Sequence, residues 1–204
     1  MPGWQQFLEN HQNHSFQILS VSVDIQGPEV VKPYTEGLTY PIFVDTENKL
    51  ANYFGFTIVP NGIFLDETGT IKMIKQGFHV TNEDHLRALE DLVAGKIETA
   101  ELDDQYYNPK SKSALEVELS KTKFALGLEF LKQGRNEEAL VQLDDALRYT
   151  PDNFLIRKQR WYIRFPEKFA PSIDIEWQQE QLTRERTEEE GDCGPEGCII
   201  PGSK

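Results

Sequence analysis

The first half of the chain alternates short apolar runs with amphipathic stretches. The run from Phe16 to Val23 is rich in β-branched residues and too short for a buried helix, so it predicts an interior strand. The turn Glu67-Thr68-Gly69 joins two further apolar runs and predicts a hairpin. The predicted strands are 16–23, 40–45, 61–66 and 70–75, and the predicted helices are 2–12, 28–37, 48–54 and 82–93. This order, αβαβαββα, indicates an α/β domain.

The second half of the chain has helical periodicity. It predicts helices at 114–149, broken at 134–136, and at 153–164 and 175–186. We therefore expect four parts: an α/β domain at 1–96, a linker at 97–113, a helical module at 114–186 and a mobile tail at 187–204. Gly55 is expected to end the third helix of the first domain, and Thr81 to cap its last one.

Charge and composition narrow the classes of partner. The 204 residues include 21 Lys and Arg against 34 Asp and Glu, a net charge of −13. Such a surface repels phosphate, which makes nucleic acid and anionic membranes poor partners. No apolar run approaches the roughly 20 residues of a membrane span, and no signal peptide is visible. The chain as given indicates the cytoplasm, and the compartment stays open because the true N-terminus is in question.

Four segments resemble the redoxin branch of the thioredoxin superfamily, which includes TlpA/ResA-type proteins and AhpC/TSA relatives. The resemblance covers roughly 95 residues, and its most specific part is the stretch from Phe54 to Gly69, similar to a "YGVxxxPTxFLIDxxG" pattern. The four segments are 1–4, 18–24, 40–45 and 54–69. The resemblance implies a thioredoxin-like fold and a thiol–disulfide oxidoreductase or peroxide-linked redox function, with no cofactor.

The resemblance also implies a substrate groove at Val59 and Pro60. The family residue that matches Pro60 is a cis-proline facing the active-site thiols, and the backbone of the preceding residue pairs with an extended substrate. An ordinary proline at the start of a strand is the simpler interpretation of Pro60. The pair Asn61-Gly62 departs from the family pattern, which puts the neighbouring contacts in question.

The family's first strand and its W-C-x-x-C motif have no counterpart in this chain. Two explanations compete: a start site upstream of Met1, with a catalytic cysteine or selenocysteine there, or a genuine loss that leaves a non-catalytic binding module. We expect the first, because a sheet without a central strand exposes backbone groups and apolar faces. The predicted fold is therefore α/β and thioredoxin-like, lacking its first strand.

The helical module resembles a tetratricopeptide repeat at seven positions: Leu126, Gly127, Phe130, Ala139, Leu143, Ala146 and Pro151. An ordinary helical hairpin with small residues at its crossing is the alternative. The resemblance implies a possible protein partner for the repeat, and the helix at 153–164 is expected to cap it. The basic stretch 157–160 is expected to be a solvated helix face.

Cys193 and Cys198 are the two cysteines of the chain. Thiols separated by four residues in a Gly-rich tail are compatible with a redox relay, with metal binding or with an inert tail, and these alternatives stay open. The four histidines show no metal-ligand spacing, so we expect no metal site. The partners implied by the resemblance are a protein thiol or disulfide substrate and a reductant.

Overall fold

The computed structural model describes residues 2–103 and 113–191. The chain divides into two compact units, Met1–Asn108 and Pro109–Lys204. Both kinds of regular structure are present, so the molecule is mixed α/β. Cys193 and Cys198 lie outside the described residues, as do most of the predicted linker and tail.

The first unit has the predicted order of elements. The bounds are α1 Pro2–Asn10, β1 Ser20–Ser22, α2 Pro28–Val31, β2 Ile42–Val44, α3 Lys49–Phe54, β3 Asn61–Leu65, β4 Ile71–Gln76 and α4 Glu83–Val93.

Three details of this unit differ from the predictions or refine them. The strand predicted at 16–23 is regular only over β1, and the helix predicted at 28–37 is the short α2 followed by a 3₁₀ turn at 32–34. Pro33, which has no N–H to donate, interrupts that helix. Asn82, not Thr81, caps α4: its side chain accepts hydrogen bonds from the backbone N–H of Asp84 and of His85. Gly55, with φ 69°, ends α3 as predicted.

The four strands form two separate pairs. β1 runs parallel to β2, with Ser20 opposite Ile42 and Ser22 opposite Val44. β3 and β4 form the predicted antiparallel hairpin, with Asn61 opposite Gln76. No ladder joins β1 to β3 within residues 2–103, so each of these strands has one edge without a strand beside it.

One hydrophobic core nevertheless serves both pairs. Its buried members are Phe7 of α1, Met73 of β4, Leu89 of α4, and Phe78, which lies between β4 and α4. Phe16 and Ile18, which lead into β1, pack against the same cluster. Both strand pairs are therefore held through helices α1 and α4, although they do not share a sheet.

The start of the predicted linker belongs to this core. The backbone N–H of Ala100 donates to the carbonyl of Lys72 at 3.0 Å, beside β4. Ala100 and Leu102 also pack against the core cluster. Residues 97–102 are thus held on the first unit by both backbone and apolar contacts.

The second unit contains α5 Ala114–Lys132, α6 Asn136–Tyr149, α7 Phe154–Arg164 and α8 Ile175–Gly191. α5 and α6 form a helical hairpin that crosses at small residues. A Cβ atom at Gly127 would lie 3.2 Å from the side chain of Leu143 and 3.3 Å from the carbonyl of Ala139. The hairpin and its close crossing agree with the expected geometry. Its tetratricopeptide character stays a prediction.

The prediction of a solvated basic face at 157–160 is wrong for most of that stretch. Arg157, Gln159 and Arg160 are 1%, 3% and 0% exposed. Arg157 donates to Glu185 at 2.6 Å and to Glu189 at 2.7 Å, both on α8. Arg160 pairs with the same Glu185 and with Asp144 of α6. Sequence periodicity could not reveal these pairs, because the carboxylates that neutralise the arginines are distant in sequence.

These pairs also explain the length of α8. We predicted that this helix ends at Arg186, but it continues to Gly191. Glu189 holds the extra turn against Arg157 through two hydrogen bonds, at 2.7 and 3.0 Å. The buried residues of α8 are Gln178, Gln181 and Glu185, so polar contacts dock this helix together with the aromatic contacts of Trp177.

We predict that Glu185→Ala strongly destabilises the second unit. The carboxylate accepts hydrogen bonds from Arg157, Arg160, Trp161 and Gln181. Removing one partner from a buried ion pair costs about 3–5 kcal/mol, since the remaining charges stay buried. Urea unfolding followed by tryptophan fluorescence measures the loss. Glu188→Ala, an exposed position on the same helix, is the matched control and should unfold close to wild type. Equal effects of the two substitutions would contradict the prediction.

We also predict that the effect of Glu185→Gln depends on pH. Burial acts to raise the pKa of Glu185, but attraction by Arg160 and hydrogen bonds from Gln181 and Trp161 hold that pKa below its ordinary 4.5. A lowered carboxyl pKa contributes stability above pH 4.5 that is lost as the pH falls through the folded-state value. Burial raises the pKa of Asp144, so the contribution of Asp144 to stability changes with pH in the opposite direction.

Asp144 is present in both proteins, so the part of its contribution that does not depend on Glu185, with which it shares Arg160, cancels in the difference between wild type and Glu185→Gln. The difference in free energy of unfolding should therefore shrink as the pH is lowered from about 6 to about 3. A difference that stays constant over this range would show that Glu185 stabilises by shape and not by charge.

Candidate functional site

The loop that joins α3 to β3 is the site predicted at Val59 and Pro60. The Val59–Pro60 peptide bond is cis, as predicted. Both residues are exposed, and Val59 is 39% accessible. The loop therefore presents its backbone at the surface of the first unit.

Two side chains at the open end of the β3–β4 hairpin brace this loop. The side-chain carbonyl of Gln76 accepts from the backbone N–H of Thr57 at 2.9 Å. The amide group of Asn61 donates to the carbonyl of Ile58 at 2.6 Å, and its oxygen accepts from the backbone N–H of Gly77 at 3.3 Å. The sequence pattern indicated the loop but not these two amides, which lie beside it at the first residue of β3 and the last residue of β4.

The first turn of α1 lies beside the end of β4. Trp4 stacks on Phe78, with ring centroids 5.5 Å apart. A Cβ atom at Gly3 would lie 2.7 Å from Val80, so the helix backbone approaches this residue closely. The backbone N–H of Phe78 in turn donates to the carbonyl of Pro60 at 3.0 Å. The start of α1, the loop at 57–60 and residues 77–80 thus meet at one place.

Gly62 permits this close packing behind the loop. A Cβ atom there would lie 2.8 Å from the ring of Phe64 and 3.1 Å from that of Phe78. The Asn61-Gly62 pair, which departs from the family pattern, therefore has a structural explanation. Asn61 braces the loop, and Gly62 leaves room for the two aromatic rings.

A histidine and a buried lysine lie on the far side of Phe78. The Nδ1 atom of His85 accepts from the backbone N–H of His79 at 3.0 Å, which leaves the proton of the neutral ring on Nε2. The ring stacks on Phe78 at 5.1 Å. Burial and the positive charge of Lys75 lower the pKa of His85. At neutral pH this side chain is therefore an uncharged hydrogen-bond donor.

The described residues contain neither a cysteine nor a cluster of three or more His, Cys, Asp or Glu side chains that could hold a metal ion. The predicted relay pair, Cys193 and Cys198, is not placed relative to the loop. Within the described ranges, no helix has both the length and the hydropathy that crossing a membrane requires. Among the described residues, the site therefore consists of an exposed loop backbone that side-chain hydrogen bonds hold in place, without a thiol beside it.

Comparison with known proteins gives one informative result. No protein-family model matches the chain, and no solved structure matches it significantly. The thiol-disulfide oxidoreductase ResA of Geobacillus thermodenitrificans (strain NG80-2) is 31% identical over 94 residues. The match covers 45% of this chain and 53% of ResA, so the chain spans about half the length of this curated relative. The similarity supports a relationship to the thioredoxin-like redoxins.

We predict that Gly62→Ala destabilises the first unit. The added methyl group must displace Phe64 or Phe78, and overpacking of this kind costs about 1–3 kcal/mol. Thermal unfolding monitored by the fluorescence of Trp4, in a background where Trp161 and Trp177 are replaced by Phe, measures the change. Glu67→Ala, an exposed change in the turn of the same hairpin, should leave the midpoint near that of the background protein. A Gly62→Ala protein with an unchanged midpoint would contradict the packing described.

Proposed function

We propose that this chain is part of a redoxin-type thiol–disulfide oxidoreductase whose catalytic cysteine or selenocysteine motif lies upstream of Met1. The observation that carries the proposal is the split of the first unit into two strand pairs. The similarity to ResA, a thiol-disulfide oxidoreductase, supports the same assignment.

The two strand edges are poor surfaces to leave in water. β1 and β3 each lack a partner on one side within the described residues, and an exposed edge attracts any extended chain. Large apolar side chains are exposed on or next to the strands: Leu19 is 59%, Phe43 68% and Leu65 58% accessible. A strand inserted between β1 and β3 would pair both edges and join the four strands into one sheet.

Such a strand would lead directly into the start of α1. A catalytic residue between them would then lie near the N-terminal end of a helix, where the helix dipole lowers the pKa of a thiol. Trp4 and the loop at 57–60 are the described neighbours of that position. The missing strand and the missing nucleophile are thus explained by one upstream segment.

The exchange itself needs only the catalytic group and a resolving thiol. A thiolate or selenolate attacks one sulfur of a substrate disulfide, and the other substrate sulfur leaves as a thiolate. A second thiol then displaces the substrate, which departs with both electrons as a dithiol while the enzyme is left oxidised. An external thiol reductant returns the enzyme to its starting state. The backbone of Val59 would hold the substrate main chain during these steps.

The alternative is a non-catalytic binding module that uses the Val59–Pro60 groove and the helical repeat. The absence of a thiol among the described groove residues favours it.

The tail has a separate role to test in either case. Cys193 and Cys198 would close a short ring in which Gly194, Pro195 and Gly197 allow a turn, so we propose them as a relay pair that exchanges with the catalytic residue.

The natural protein decides between the two functions. Mass spectrometry of the endogenous protein should find peptides upstream of Met1 that contain a Cys-x-x-Cys or selenocysteine motif. The longer protein that includes this motif should reduce insulin disulfides, and the chain 1–204 should not reduce them at this groove. A stable endogenous protein that starts at Met1 and has no reductase activity would establish the binding module instead.

The relay is tested in the same protein. Cys193→Ser with Cys198→Ser should slow turnover by the reductant while leaving a single reduction of insulin by pre-reduced enzyme unchanged. If the two substitutions leave turnover at the wild-type rate, the tail is inert in this reaction.

A further inference from the structure

We propose that Asn61 and Gln76 are positioning residues that hold the backbone of the Val59–Pro60 loop for pairing with an extended segment of a protein substrate. This inference rests on the proposed function, because it assigns the kind of substrate contact that the groove makes. Asn61 and Gln76 hold the loop in place, whereas the exposed loop contacts the substrate.

The two residues face each other across the hairpin. Asn61 is the first residue of β3 and lies opposite Gln76, the last residue of β4. Directly opposed residues project to the same face of a sheet, so both amide side chains reach the loop that precedes β3. Gln76 is only 4% exposed, and Asn61 is partly buried.

The hydrogen bonds of this pair fix the loop on both sides. Gln76 accepts from the N–H of Thr57 at 2.9 Å and from its hydroxyl at 3.3 Å. Asn61 donates to the carbonyl of Ile58 at 2.6 Å. The N–H of Thr57 and the carbonyl of Ile58 are therefore bound internally, immediately before Val59.

These hydrogen bonds determine which backbone groups of the loop remain open to a ligand. A backbone strand offers N–H and C=O groups alternately to its two sides, and a peptide partner uses those that are not already bound. The N–H of Thr57 and the carbonyls of Ile58 and Pro60 are bound by Gln76, Asn61 and Phe78, so the exposed backbone of Val59 lies between fixed residues, in position to pair. An extended peptide offers the alternating N–H and C=O groups that such a backbone can pair with.

Asn61 also joins the loop to the end of β4. Its side-chain oxygen accepts from the N–H of Gly77 at 3.3 Å, so the same amide holds both segments that border the groove. An amide is suited to this task because it donates and accepts at once. An aspartate of the same shape can accept from Gly77 but cannot donate to Ile58.

The test uses Gln76→Met and Asn61→Asp, which conserve volume, with Asn52→Ala on α3 as the matched control. In the chain 1–204, amide hydrogen exchange measured by NMR should be about tenfold faster at Thr57 in Gln76→Met, because one hydrogen bond is worth roughly 1.4 kcal/mol. In Asn61→Asp the exchange at Gly77 should stay slow, since its acceptor remains. Asn52→Ala should change neither amide. Unaltered exchange at Thr57 in Gln76→Met would overturn the brace.

The substrate part is tested in the full-length natural protein with insulin as the disulfide substrate. Both groove variants should raise KM about tenfold and leave kcat within about twofold, because they weaken binding and not the chemistry. A fall in kcat at unchanged KM, or unchanged values of both, would overturn the positioning role. A wild-type protein that reduces no insulin would instead refute the proposed function, and the exchange rates would still decide whether the brace exists.

Discussion

The backbone groups along both edges of a β-strand need hydrogen-bond partners, from another strand or from water, and among the described residues the first unit leaves β1 and β3 each with one edge that no strand covers. β1 pairs with β2, and β3 pairs with β4, but within the described residues nothing pairs β1 with β3. The shared core of Phe7, Met73, Phe78 and Leu89 keeps the two pairs in one unit in spite of this. The candidate groove lies at the end of one of those pairs, where β4, the loop at 57–60 and the start of α1 meet. The proposed function and the fold thus involve the same gap.

The second unit meets a different constraint, the cost of burying charge. Arg157 and Arg160 are removed from water at a cost that the carboxylates of Glu185, Glu189 and Asp144 offset, together with the carbonyl of Pro151, which accepts from Arg157. The compensation is incomplete, because the Nε atom of Arg160 has no partner among the described atoms. A helix docked by such contacts depends on geometry more strictly than one docked by an apolar stripe, since each misplaced charge remains desolvated.

Local patterns predicted the elements well where the determining residues are neighbours. Alternating apolar runs, Gly55 and the break at 134–136 gave the strands, the end of α3 and the helical hairpin. The cis bond before Pro60 followed from the family resemblance. Two of the errors originate in contacts between distant residues: Arg157 is buried by carboxylates about thirty positions away, and two of the hydrogen bonds that brace the loop join residues 16 and 19 positions apart. Asn82 replaced Thr81 as the cap because either residue satisfies the sequence rule and only the backbone geometry selects between them.

The central claim, that a strand belongs between β1 and β3, is tested most directly at the amide of Val21. Successive amides of a strand point to opposite edges, and the N–H of Ser20 is bound to the carbonyl of Pro41 on the β2 side. The N–H of Val21 therefore points to the free edge. Its hydrogen exchange, measured by NMR, should be fast in the chain 1–204 and should become at least as slow as that of Ser20 in the longer natural protein. A Val21 amide that is already protected in the chain 1–204, or one that stays fast in the longer protein, would contradict the account.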